Sequence, residues 1–96
     1  MSQFILSPLA SGDLDEIWEY IAADNLDAAE RWLAELEKAI HLLAERPNLG
    51  HTRKDLTAKK VLFWPVGRYL IVYRADRRPI EVIRVVSAYR DVPRLL

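Results

Sequence analysis

VLFWPVGRYLIVYRADRRPIEVIRVV, residues 61–86, holds three runs dense in β-branched and aromatic residues: VLFW (61–64), RYLIVYR (68–74) and IEVIRVV (80–86). Pro65-Val66-Gly67 separates the first two, and Ala75-Asp76-Arg77-Arg78-Pro79 separates the second two. This is the composition of strands punctuated by turns, and it predicts a three-stranded antiparallel meander. Such a sheet needs cover for one face, and the residues before it supply that cover.

Residues 3–7, QFILS, are short and mostly apolar, and Ser7-Pro8 then offers an N-cap followed by proline at the first helical position. A strand feeding a helix fits. Apolar residues recur as Ala10, Leu14, Ile17, Trp18 and Ile21, with Asp13, Asp15, Glu16 and Glu19 between them, so an amphipathic helix ends near Ala23. Asp24 or Asn25 can cap a second helix, whose stripe is Leu26, Ala29, Leu33, Leu36, Ile40 and Leu43, with Trp32 beside it. Arg46-Pro47-Asn48-Leu49-Gly50 stops it. So short a connection predicts an antiparallel helix hairpin with one shared apolar seam. The reading is a two-layer α+β fold in one domain over residues 1–96, in the order strand, helix, helix, strand, strand, strand.

The chain has no net charge, yet residues 1–50 carry three Lys and Arg against ten Asp and Glu, and residues 51–96 carry eleven against four. The halves are therefore net −7 and +7. That asymmetry points either to a partner of complementary charge or to the ordinary habit of acidic helices and basic strand edges. The absence of cysteine excludes disulfides, thiolate zinc sites and cysteine nucleophiles, and fits a reducing compartment. MSQFILSPLASGDLDEIW has no basic leader, and Ser7-Pro8 interrupts its apolar stretch, so it reads as neither signal peptide nor membrane span. A cytoplasmic protein is expected.

Three glycines leave no phosphate loop, and G-x-x-x-x-G-K, G-x-G-x-x-G and G-x-S-x-G are all missing. His41 and His51 lack metal-ligand spacing and read as a helix flank and a turn, so no metal and no cofactor are expected. Asp13, Asp15, Glu16 and Glu19 read as the wet face of the first helix. By strand parity, Arg74 shares a face with Leu70 and Val72, and Arg84 with Ile80, Val82 and Val86. A charge on an apolar face is paired, snorkelling or functional; a helix carboxylate, Glu81 and Asp91 are the candidate partners.

LSPLASGDLDEIWEYIA (6–22), ERPNLGHTRKDL (45–56), VGRYLIVYR (66–74) and IEVIRVVSAYRD (80–91), in that order, resemble the RelE/ParE superfamily of bacterial toxins. The resemblance spans nearly the whole chain, and the opening and the YRD tail are nearer the ParE-like branch. It implies a toxin of a type II toxin–antitoxin system with a microbial-RNase-like fold, inhibiting DNA gyrase and neutralised in a hetero-oligomer by a cognate ParD-like antitoxin. Arg84, Tyr89, Arg90 and Arg94 would then meet the target, and Trp18, Ile21, Trp32 and Arg74 the antitoxin. A RelE-like member would instead cut mRNA on the ribosome, with Arg74, Arg84, Tyr89 and Arg90 as its candidate catalytic set. That set lacks a general base, the group needed to take a proton from the 2′-hydroxyl. A degenerate, non-toxic binding module is the remaining alternative.

Overall fold

The computed structural model describes residues 3–96. Along the chain run β1 (Phe4–Leu6), α1 (Pro8–Ala22), α2 (Leu26–Glu45), β2 (Leu62–Val66), β3 (Tyr69–Arg74), β4 (Ile80–Ser87) and a short α3 (Val92–Leu95). The predicted α+β order is present, with the meander β2-β3-β4 antiparallel; α3 was not foreseen. The sheet order is β1-β4-β3-β2, with β1 parallel to β4, so the first strand joins the sheet beside the last.

Local chemistry sets the helix ends. The Ser7 hydroxyl accepts the Ala10 N–H at 3.0 Å, and Pro8 occupies the first turn of α1. Asn25 rather than Asp24 caps α2, its Oδ1 accepting from Ala28 N–H at 2.9 Å. The hairpin lays Leu14, Leu36, Ile40 and Leu43 over Tyr69, Ile71, Tyr73, Ile80, Val82 and Val85. A second cluster lies on the opposite face of the sheet, where Phe63, Leu70, Val72 and Val86 meet Val61 and Val92, with Leu56, Leu95 and Leu96 against them. The meander is thus apolar on both faces.

Strand parity fails at one place. Val72 stands opposite Arg84, yet Tyr73 stands opposite Val82, so Ile83 is an extra, bulged residue on β4. Ile80 and Val82 therefore face the helices, whereas Arg84 shares the opposite face with Val72, Leu70 and Val86. The sequence reading that placed Arg84 with Ile80 and Val82 is corrected by this single insertion.

Specific contacts cover part of the outer edge of β2 and the stretch of β4 that the short β1 leaves open. On β2, His51 exchanges two backbone bonds with Phe63, at 2.9 and 2.8 Å, and the next outward position is Pro65, which has no N–H to offer. His51 was read as a turn histidine, but it pairs with the sheet edge. On β4, β1 stops at Leu6; beyond it Ser7 N–H donates to Val82 O at 2.9 Å and the Ser7 hydroxyl to Ile83 O at 2.7 Å.

Two turns depend on close approach. Gly67 opens the two-residue β2–β3 loop with φ +57°, and a Cβ there would run into the ring of Trp32. That ring also packs edge-on to Tyr69, with centroids 5.2 Å apart. After α2, the buried Tyr73 hydroxyl donates to Pro47 O at 2.7 Å and accepts from Gly50 N–H at 2.8 Å, pinning the turn that leaves the hairpin. Burial raises the Tyr73 pKa above the usual phenol value, and the Gly50 N–H partly offsets the rise.

Gly67→Ala is expected to cost about 2 kcal/mol or more in urea unfolding, combining positive-φ strain with displacement of Trp32. Gly12→Ala, in the interior of α1 with nothing within 4 Å of the new Cβ, should instead gain roughly 0.5–1 kcal/mol. Equal effects would refute the assignment. For Tyr73, the folded state holds its proton more tightly than the unfolded chain does. Its contribution is complete below pH ~10 and is lost as pH rises through the raised folded value. Alkaline unfolding should therefore show a steeper pH slope in the wild type than in Tyr73→Phe.

Candidate functional site

One carboxylate organises the region around β4. Asp13, on α1, takes Arg84 in a bidentate grip, with Nε to Oδ2 at 2.8 Å and Nη2 to Oδ1 at 2.9 Å. Its Oδ2 also accepts the Val85 N–H at 2.9 Å. Arg84 Nη1 donates to Leu95 O at 2.7 Å, so the same guanidinium holds α3. The two side chains are only 16% and 11% exposed, which removes most solvent screening from the pair. The bonds from Asp13 raise the Arg84 pKa further, against the opposing effect of burial. Asp13 is thus not part of a wet face, although its neighbours Asp15, Glu16 and Glu19 are exposed. Nor does Arg84 bridge to Asp91, whose carboxylate lies 3.9 Å from Arg94 in an exposed contact.

Two clefts flank this pair. The first, about 550 Å³, lies between α1 and the far ends of β3 and β4, with Glu16, Ile17, Tyr20, Arg68, Ser87 and Arg90 around its walls. The second, about 390 Å³, lies on the sheet face away from the hairpin. Lys59, Lys60 and Arg74 line it together with Val72, Ile83 and Leu95, and Lys59 reaches the Leu96 carbonyl.

The residues singled out from the sequence are distributed over these surfaces. Arg84 borders both clefts, but its charge is matched by Asp13. Arg90 lines the first cleft and Arg74 the second, where Arg74 also pairs with Asp76 at 2.9 Å. Tyr89 is 84% exposed and Arg94 also stands in solvent. The candidate nuclease set is therefore dispersed. On the hairpin, Trp18 lines a shallow groove with Leu14 and Leu33, and Ile21 is half-buried on the same helix. Trp32 is already packed against Tyr69 and the Gly67 turn.

The family model described as "ParE toxin of type II toxin-antitoxin system, parDE" matches residues 4–92. The chain belongs to this ParE toxin family. It is similar to the toxin ParE1 of Mycobacterium tuberculosis, at 32% identity over 99% of this chain and 98% of the relative. The protein Y4kP of Sinorhizobium fredii is 34% identical over 86% of this chain and 84% of its own. A solved structure titled "Chromosomal ParDE TA system from P. aeruginosa" shares the fold with a TM-score of 0.74, at 18% identity, over 91% of this chain and 96% of that one. The chain is thus a ParE-type toxin of a type II toxin–antitoxin system, and the predicted branch and fold are both present.

Within this ParE fold, the partner of Arg84 is a helix carboxylate, as one of the sequence alternatives had it, but the sequence did not single out Asp13 for it and placed neither Arg68 nor Tyr20 beside Arg90. Tyr20 left a signal, since it is an aromatic residue on the polar side of α1. Arg68 left only its place beside Gly67 in the turn, and nothing local distinguishes Asp13 from the other carboxylates of its helix, because its partner is 71 residues away.

Asp13→Asn is expected to lower stability by about 3 kcal/mol, since it uncouples a desolvated guanidinium. In a double-mutant cycle with Arg84→Met measured by urea unfolding, the two losses should fall short of additivity by about 1 kcal/mol or more. Additive losses would mean that the pair is not coupled.

Proposed function

We propose that this ParE-type chain arrests growth by binding DNA gyrase, and that a cognate ParD-like antitoxin holds it inactive in a hetero-oligomer. In this reading it is a cytoplasmic inhibitor and not itself an enzyme, with no cofactor. One observation carries the choice of a binding toxin over a nuclease: Arg90 lines one cleft and Arg74 the other, Tyr89 lines neither, and Arg84, which borders both, is paired with Asp13, so no single cleft holds the set. What stands exposed instead is a basic and aromatic turn, Tyr89-Arg90, followed by Arg94. These three are the target-contacting residues, and Arg84 becomes their support by fixing α3 through Leu95.

The antitoxin reading uses other surfaces. Trp18 and Ile21, with Leu33 between the helices, offer apolar ground for a partner side chain, while Trp32 acts from beneath by holding the turn. Lys59, Lys60 and Arg74 suit acidic residues of the same partner on the opposite face. One feature also favours the RelE-like alternative: those three cations share a groove, and lysine can serve as an acid or base. That groove is floored by Val72 and Ile83 and bordered by Leu95 and Leu96, and it contains no tyrosine and no histidine.

Purified gyrase, titrated with the isolated toxin in a supercoiling assay, should be inhibited. Arg90→Ala/Arg94→Ala, with an unchanged unfolding midpoint, should need at least roughly tenfold more protein. Full inhibition by the folded double variant would remove the C-terminal turn from the target surface. Ribosome-dependent mRNA cleavage without any effect on gyrase would move the activity to the RelE-like reading.

A further inference from the structure

The first cleft has a second wall that the C-terminal turn does not supply. The β2–β3 turn and the turn after β4 lie side by side, tied by the Ala88 N–H donating to Arg68 O at 2.7 Å. Arg68 and Arg90 therefore enter one cleft from two turns that are locked together. Neither guanidinium makes a hydrogen bond or ion pair among the described residues, unlike those of Arg53, Arg74, Arg78, Arg84 and Arg94. Across from them, α1 contributes Ile17 and Tyr20, the latter 78% exposed, and Tyr89 at 84% exposure adjoins Arg90. Unpaired arginines beside exposed tyrosines are the composition of protein-interface anchors.

The charges select the kind of partner. Two free cations match one or two carboxylates seated between them, whereas a phosphate backbone, charged at every step, would run on past them against Glu16 inside the cleft and Asp15 and Glu19 beside it on α1. A duplex binder needs a stripe that neutralises many phosphates, and this surface has no such stripe. We infer that the cleft grips an acidic segment of the target protein, with Arg68 and Tyr20 as contact residues alongside Arg90. This deepens the gyrase reading and depends on it only for which protein supplies the segment.

Wild type, Arg68→Glu, Tyr20→Ala and, as a control at the opposite end of the sheet, Arg77→Glu should be titrated in the gyrase supercoiling assay, after their unfolding midpoints are compared. Arg68→Glu and Tyr20→Ala should each raise the inhibitory concentration by roughly tenfold or more, and Arg77→Glu should leave it unchanged. Tyr20→Ala keeps the test open if charge reversal disturbs the turn. Wild-type potency in both cleft variants would overturn the inference. If wild type leaves gyrase untouched, the gyrase reading falls, and growth arrest on expression decides the cleft: arrest lost in both variants supports it, and arrest retained overturns it. Tight binding of a labelled DNA duplex by the isolated toxin, abolished in Arg68→Glu, would overturn the protein partner; absence of such binding supports it.

Discussion

The Asp13 carboxylate stands in for strand that is not there. β1 is three residues long and leaves β4 uncovered after Val82, where a sheet edge would otherwise present bare donors and acceptors. Ser7 and Asp13, at the start of α1, satisfy Val82, Ile83 and Val85 in turn, so the helix continues the edge with side chains. Arg84 completes the arrangement by neutralising that carboxylate and holding Leu95. A desolvated ion pair is weak evidence of net stabilisation, since the cost of removing both charges from water can match their attraction. Its value here is positional: it fixes where α1, β4 and α3 meet, and both clefts are built around that junction.

The charge imbalance between the chain halves becomes a spatial one. The acidic half folds into the hairpin, whose outer surface carries Asp15, Glu16, Glu19, Glu30, Glu35 and Glu37. The basic half forms the meander and the connections around it, placing Lys59, Lys60 and Arg74 on the face away from the helices and Arg68 and Arg90 at one end. His51 and Pro65 thus interrupt the outer edge of β2, and Ser7 and Asp13 cover the stretch of β4 that β1 leaves open.

Periodicity made the order of elements, the hairpin and the meander legible, because each has its own repeat and its own breakers. The parallel docking of β1 was not legible, since no local pattern says which strand a three-residue segment joins. Arg84 shows the limit most clearly. Period-two alternation placed it with Ile80 and Val82, but the bulge at Ile83 leaves no mark in composition and reverses the face. The long-range pair with Asp13 followed the same rule, for a carboxylate among four on one helix gives no hint of which is buried. Tyr89 and Arg90 stood out in the sequence as an aromatic and basic pair, whereas the nearness of Arg68 to Arg90 follows only from the hydrogen bond that draws two turns together.

The pairing of β1 with β4 also orders events in time. Ser7 waits for a carbonyl 76 residues further on, and β1 has no other strand beside it in the sheet. Until β4 has been synthesised, β1 has no neighbour in the sheet, the hairpin lacks Ile80, Val82 and Val85 beneath it, and Asp13 lacks Arg84. Contacts of such sequence separation form late and slowly compared with local ones. The nascent chain thus reaches β4 with β1 and α1 not yet docked at that edge, so the junction of α1, β4 and α3 is the part of the molecule that closes last.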